Sequence, residues 1–188
     1  NILVANFNEK IVAGDINALR SFLETNSKLI NSPSAMRYRK DGFIKAVQQG
    51  RASVVELLLK YMDINPATRN NQAIRLASAK GDTDMVRHLL NYPEVNPGAG
   101  NNEALIKAVK NRHIEIVRLL LAHPNVEPLA RNSLAVEFAT KMVDYDMLKL
   151  FIDDGRANPV IFKHSTLWYQ AESGNVEFVR FLLGYPYF

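Results

Sequence analysis

Val54-Val55-Glu56-Leu57-Leu58-Leu59 returns along the chain as Met85-Val86-Arg87-His88-Leu89-Leu90, Ile116-Val117-Arg118-Leu119-Leu120-Leu121, Met147-Leu148-Lys149-Leu150-Phe151-Ile152 and Phe178-Val179-Arg180-Phe181-Leu182-Leu183. Each step is 31 residues. Self-similarity at such a period marks a chain built by stacking one supersecondary unit. Other columns keep the register. Ala46, Ala77, Ala108 and Ala139 form one, broken by Gln170, and the dipeptides Asn65-Pro66, Asn96-Pro97, Glu127-Pro128 and Asn158-Pro159 form another.

Within a unit, two apolar-periodic stretches flank a breaker. Residues 73–80 carry apolar side chains at 73, 74, 76 and 77, and residues 84–90 carry them at 85, 86, 89 and 90, the spacing of one helical face. The break is Gly50, Gly81 or Gly174. The second helix opens with a cap-competent residue (Asp82, Asp144 or Asn175) and an early acid (Asp84, Glu115, Asp146 or Glu177), both favoured at a positive helix start. Three residues on comes a base, as in Asp84–Arg87 and Glu115–Arg118, which marks a solvated face. The X-Pro near each unit's end stops the second helix. Helices of about eight to ten residues are marginal alone in water, so neighbouring units must stack to bury their Leu columns.

The expectation is an all-α solenoid of helix-turn-helix units at approximately 5–41, 42–72, 73–103, 104–134, 135–165 and 166–188, the last incomplete. In the first unit Phe7, Gly14, Leu19 and Leu23 align with Phe43, Gly50, Val55 and Leu59 at an offset of 36. The five extra residues fall in the connection 24–41, read as a loop that holds the basic run Arg37-Tyr38-Arg39-Lys40. The chain begins at Asn1 without a Met and stops within a unit, so a longer parent chain is expected.

Composition narrows the chemistry. The 188 residues are 47% apolar and 22% charged, with 9 Gly and 8 Pro, which suits a folded protein and not a disordered one. The absence of cysteine excludes disulfides, thiolate metal sites and cysteine nucleophiles, and suits a reducing, cytoplasmic compartment. The longest apolar runs, Ile2 to Ala5 and Leu119 to Ala122, are four residues long against the roughly 18 of a membrane span. No signal-peptide pattern or Asn-X-Ser/Thr acceptor occurs. The net charge is +4, from 13 basic and 9 acidic side chains in residues 1–94 and 10 of each in 95–188. So local an excess argues against an extended nucleic-acid surface.

These units resemble the ankyrin repeat family. Gly81 through Leu90 and its copies are similar to that family's Gly-His-X-Glu-Val-Val-Lys-Leu-Leu-Leu second-helix motif, and His113-Ile114-Glu115-Ile116-Val117-Arg118-Leu119-Leu120-Leu121 matches it best. The family's Thr-Pro-Leu-His opening is replaced by Gln72-Ala73-Ile74-Arg75 or Glu103-Ala104-Leu105-Ile106, and each unit is two residues short of the usual 33. The shortening implies β-hairpin fingers that are reduced or absent. This style of repeat also resembles ankyrin proteins of amoebae and of the bacteria and giant viruses that live in them. By that analogy the chain would belong to a secreted, host-acting effector in the host cytosol. Tetratricopeptide repeats, the other helix-pair family of similar period, have a Trp-Leu-Gly-Tyr pattern that is missing here.

Candidates for catalysis are few. His88 and His113 read as structural positions of the repeat. His113-X-Glu115 imitates a zinc deaminase motif without the necessary cysteines. Gly98-Ala99-Gly100 aligns with Ala67-Thr68-Arg69 and reads as a connection, and Asp153-Asp154 as a solvated helix end. No Ser/His/Asp set emerges, so no catalysis, cofactor or metal site is expected within these residues; the alternative to an interaction scaffold is a substrate-targeting module for a catalytic domain elsewhere in a longer parent chain, with nucleic-acid binding last.

The resemblance implies binding on the concave side, lined by the first helices. Three columns of that helix read Lys45, Gln48, Gln49; Leu76, Ala79, Lys80; Lys107, Lys110, Asn111; Phe138, Lys141, Met142; and Tyr169, Glu172, Ser173. Lys80, Lys107, Lys110 and Lys141 beside Leu76, Phe138, Met142 and Tyr169 describe an apolar groove with a positive rim, suited to an acidic, partly apolar protein partner. In the other reading Phe138 and Tyr169 pack between adjacent repeats. Trp168, in a column shared with Ile44, Arg75, Ile106 and Glu137, is expected to be half exposed, as a packing residue or a binding anchor. The cluster 37–40 reads as a solvated loop, a phosphate or nucleic-acid contact, or a second protein contact.

Overall fold

The computed structural model describes residues 2–157 and 166–184, with the side chains of 3, 131, 132, 166, 167 and 169 outside the description. Among the described residues the regular elements are all helical and no strand occurs. The chain divides into two compact units, Asn1–Asn96 and Pro97–Phe188.

The first unit holds α1 (Ile2–Ala13), α2 (Ile16–Thr25), α3 (Ser27–Ile30), a 3-10 turn (Pro33–Ala35), α4 (Met36–Gln48), α5 (Ala52–Tyr61), α6 (Thr68–Lys80) and α7 (Thr83–Leu90). Helices α1, α4 and α6 form one layer and α2, α5 and α7 a second, each first helix lying against its own second helix. The second unit holds α8 (Ala99–Lys110), α9 (Ile114–Leu121), α10 (Ala130–Lys141), α11 (Tyr145–Asp154), α12 (Thr166–Glu172) and α13 (Val176–Leu183). There α8 packs on α10, α9 packs on α11, and α12 pairs with α13. Boundaries drawn at residues 42, 73, 104 and 135 fall inside α4, α6, α8 and α10, since the phase of a repeat is a choice.

The repeated apolar columns are the core. Val55, Val86, Val117 and Leu148 have 0% exposure, as do Leu58, Leu89, Leu120 and Phe151 one turn further on. Ala46, Ala77, Ala108 and Ala139 are equally covered, because helices in contact there leave no room for a larger side chain. The predicted caps form: Asp82 accepts from the Met85 N–H at 3.0 Å, Asp144 from Met147 at 3.1 Å and Asn175 from Phe178 at 3.2 Å. Asp15 does the same for Ala18 at 2.9 Å. Each satisfies a helix-start donor that would otherwise lack a partner.

The hairpin fingers are replaced by compact loops closed by a left-handed turn. Arg69, Asn70 and Asn71 have φ of 55°, 55° and 56°, and Gly100, Asn101 and Asn102 have 65°, 56° and 60°. Gly and Asn tolerate this region best, which gives the repeated Asn-Asn pair a physical reason. The Asn71 N–H donates to Ala67 O and the Asn102 N–H to Gly98 O, both at 2.9 Å. The side chains then reach forward: Asn71 Oδ1 accepts from the Asn96 N–H at 2.7 Å and Asn102 Oδ1 from the Glu127 N–H at 2.8 Å. Successive loops are thus stitched together by a buried amide, and the residues after each stitch, Pro97 and Pro128, are buried.

The breaker between paired helices is also left-handed, with φ of 68°, 82° and 72° at Gly50, Gly81 and Gly174. Arg112 and Val143 occupy the same column at 61° and 51°. For a β-branched residue this conformation is strained by roughly 1–2 kcal/mol, and the extra freedom of an unfolded glycine offsets roughly 0.5–1 kcal/mol of that. Val143→Gly should therefore stabilise the protein by about 0.5–1 kcal/mol, read as a higher urea midpoint. A lower midpoint would mean that packing of the half-buried Val143 side chain outweighs the strain.

The connection 24–41 is not the expected loop. Its extra residues form α3 and the 3-10 turn, and the basic run Arg37-Tyr38-Arg39-Lys40 lies in the first turns of α4. The run is also divided. The Arg37 side chain is 86% exposed and lies 3.9 Å from Asp41, whereas Arg39 is buried and donates from Nη1 to Ile30 O at 2.9 Å. A surface cluster of three cations is therefore not what the fold presents.

Candidate protein-interaction face

The candidate strip lies where the first helices turn away from the core. On α8 and α10 the buried column is Ala108 and Ala139, so positions one residue before and two and three residues after them point outward. Lys107 and Phe138 are half-buried, Lys110 and Lys141 exposed, Asn111 exposed and Met142 half-buried. On α6 of the first unit Leu76 is half-buried and Lys80 exposed. Tyr169 lies on α12, and its side chain falls outside the described residues.

The lysines differ in their partners. Lys107 Nζ pairs with Glu103 Oε1 at 2.6 Å and Lys141 Nζ with Glu137 Oε1 at 2.5 Å, each one helical turn back. Both pairs are partly exposed and worth little to stability, but they lower the positive field offered to a partner. Lys110 Nζ lies 5.7 Å from the centroid of the Phe138 ring, within cation–π range. Lys80 Nζ donates to the Gln48 carbonyl at 2.5 Å, at the negative end of α4. The structure thus joins Lys110 to Phe138 across two helices of one unit, and Phe138 to Met142 along one helix face. Glu103 and Glu137 were missed in the sequence, although their four-residue spacing from Lys107 and Lys141 signals the pairing.

The other candidates take structural places. His88 is half-buried, its ring edge-on to Tyr92 at 5.5 Å; burial, then the charges of Glu56 and Glu94, raise the Tyr92 hydroxyl pKa. His113 stands at the start of α9, and His123 Nδ1 accepts from the Asn125 N–H at 3.2 Å. Gly98-Ala99-Gly100 leads into the left-handed turn of α8. Asp154 ends α11 and pairs with Arg156 at 2.8 Å; this hydrogen bond raises the Arg156 pKa. The guanidinium also donates to Val126 O at 2.7 Å and to Leu121 O, tying one loop to the preceding one. His164 lies outside the described residues. Trp168 is 70% exposed, more than its mixed column suggested.

Among the described residues no helix is long and apolar enough to cross a membrane. The sequence model of the family described as ankyrin repeats (3 copies) matches residues 43–132 and, overlapping, 75–163. No curated protein matches the chain.

Proposed function

Because the chain belongs to the ankyrin repeat family, we propose that it is a protein-interaction scaffold that binds an acidic, partly apolar segment of a partner through its first-helix strip. Ankyrin repeats are in general protein–protein interaction modules, and proteins built from them are typically non-catalytic. Each unit presents its own stretch of the strip: Leu76 and Lys80 in the first, and Lys107, Lys110, Phe138, Lys141, Met142 and Tyr169 in the second. The supporting observation is the Lys110–Phe138 pair, which sets a cation over a half-buried ring with Met142 one turn away. Aromatic and thioether groups give a partner's apolar side chain a surface to pack on, and the cation selects an acid beside it. We place the scaffold in the cytosol, in keeping with its lack of cysteine, and in a host cytosol should it act as an effector.

The test is charge reversal against a library of acidic peptides with apolar centres. Lys110→Glu should weaken the selected peptides about tenfold or more, and Lys107→Glu less, because Glu103 already competes for that lysine. Reversal of Arg118 and Lys149 on the second helices should change nothing. Affinities that ignore both Lys110→Glu and Lys107→Glu would rule the strip out.

A further inference from the structure

The first unit carries a second surface that the regular repeat does not explain. An insertion in a repeat protein creates the one stretch of surface not shared with the other copies. Here the extra residues of the connection 24–41 build α3 and the 3-10 turn beside α1 and the start of α4. Between these elements lies a shallow hollow lined by Val4, Phe7, Ile30, Ala35, Tyr38 and Met62, with Arg39 as its charged member. Next to the lining residues in the chain, Leu29 is 60% and Met36 47% exposed, and Tyr38 itself is 40% exposed. Leu29, Met36 and Tyr38 thus put three exposed apolar or aromatic side chains on the inserted elements, and Tyr38 also lines the hollow; exposed apolar patches mark contact sites.

Charge identifies what would fit. Residues 26–40 contain no acid, and since Arg37 lies 3.9 Å from Asp41, the charge that faces the hollow itself is Arg39. Arg39 is only 3% exposed, yet no carboxylate pairs with it among the described residues. Its Nη1 donates to the Ile30 and Ser32 carbonyls at 2.9 and 3.4 Å, and its buried Nε has no hydrogen-bond partner. A buried cation held only by neutral carbonyls, with a donor left unused, is under-compensated. An anion arriving at the hollow would relieve that deficit. We infer that this hollow docks a short acidic peptide segment of a partner protein, with one large apolar side chain set over Phe7, Ile30 and Met62 and a carboxylate turned toward Arg39. A flat anionic membrane would meet Leu29 and Met36 but would not use the hollow.

This docking surface is separate from the first-helix strip and can be tested apart from it. The probe is an array of short synthetic peptides in which a single variable residue sits between two runs of glutamate. Binding of the whole chain should rise from Ser through Ala to Leu, Met and Phe at the variable position. The double variant Leu29→Ser/Met36→Ser, both positions being exposed, should keep the helical circular dichroism and lose about tenfold or more in affinity for the Phe peptide. The array is read in the Lys107→Glu/Lys110→Glu background, which removes any share of an acidic peptide that the first-helix strip takes up, so failure of the strip reading and failure of this one give different results. Arg39→Gln should weaken the Phe peptide while preserving the preference for Phe over Ser. A signal independent of the variable residue, or unaffected by Leu29→Ser/Met36→Ser, overturns the inference. So does binding to phosphatidylserine-containing vesicles with no binding to any peptide of the array.

Discussion

Leu120→Ala is expected to destabilise the protein by about 2–5 kcal/mol, measured by urea unfolding followed at the helical circular dichroism band. Leu120 has 0% exposure and sits on α9, which packs against both α8 and α11. Truncation removes apolar area from a site that a stack of short helices cannot collapse around, because each helix is fixed by neighbours on two sides. Leu183 provides the internal contrast. It occupies the column of Leu121 and Ile152, which are 5% and 6% exposed, but is itself 57% exposed. Leu183→Ala should cost less than about 0.5–1 kcal/mol. Equal costs at the two positions would mean that buried columns do not carry the stability of the fold.

Asn102→Ala is the second large effect, at about 1.5–3.5 kcal/mol. Two terms contribute. The substitution removes the part-buried 2.8 Å hydrogen bond from the Glu127 N–H, roughly 0.5–1.5 kcal/mol, and places alanine at φ 60°, roughly 1–2 kcal/mol where asparagine is better tolerated. Asn102→Gly separates them. It keeps the left-handed turn and loses only the stitch, so it should cost less than Asn102→Ala by about 1 kcal/mol. If glycine proves worse than alanine, the left-handed geometry is not what selects asparagine there. Asn71→Ala should behave alike in the first unit, where the Asn96 N–H is the donor at 2.7 Å.

These two residues mark where sequence reading succeeds and where it stops. Leu120 was legible as core because its column repeats every 31 residues with helical spacing, and burial is what such periodicity records. The Asn-Asn pair recurs at 70–71 and 101–102, but periodicity carries no information about backbone dihedrals or about an amide that reaches 25 residues ahead. The pairing of Lys107 with Glu103 was likewise written in the sequence, at a spacing that helix geometry makes meaningful. The connection 24–41 was opaque for the opposite reason: it occurs once, so no column exists to show that Arg39 faces inward. For the proposed strip, helical spacing indicates positions that turn away from the alanine column, but it carries no sign that Lys110 stands over the Phe138 ring.

Scaffolding through the first helices is tested most directly by hydrogen exchange of the chain with and without the tightest acidic peptide from the library. Slowed exchange should appear in the carboxyl-terminal halves of α8 and α10, around residues 107–111 and 138–142, with α9 and α11 unchanged. Protection confined to α9 and α11, or none in α8 and α10 at saturating peptide, would contradict binding by that face.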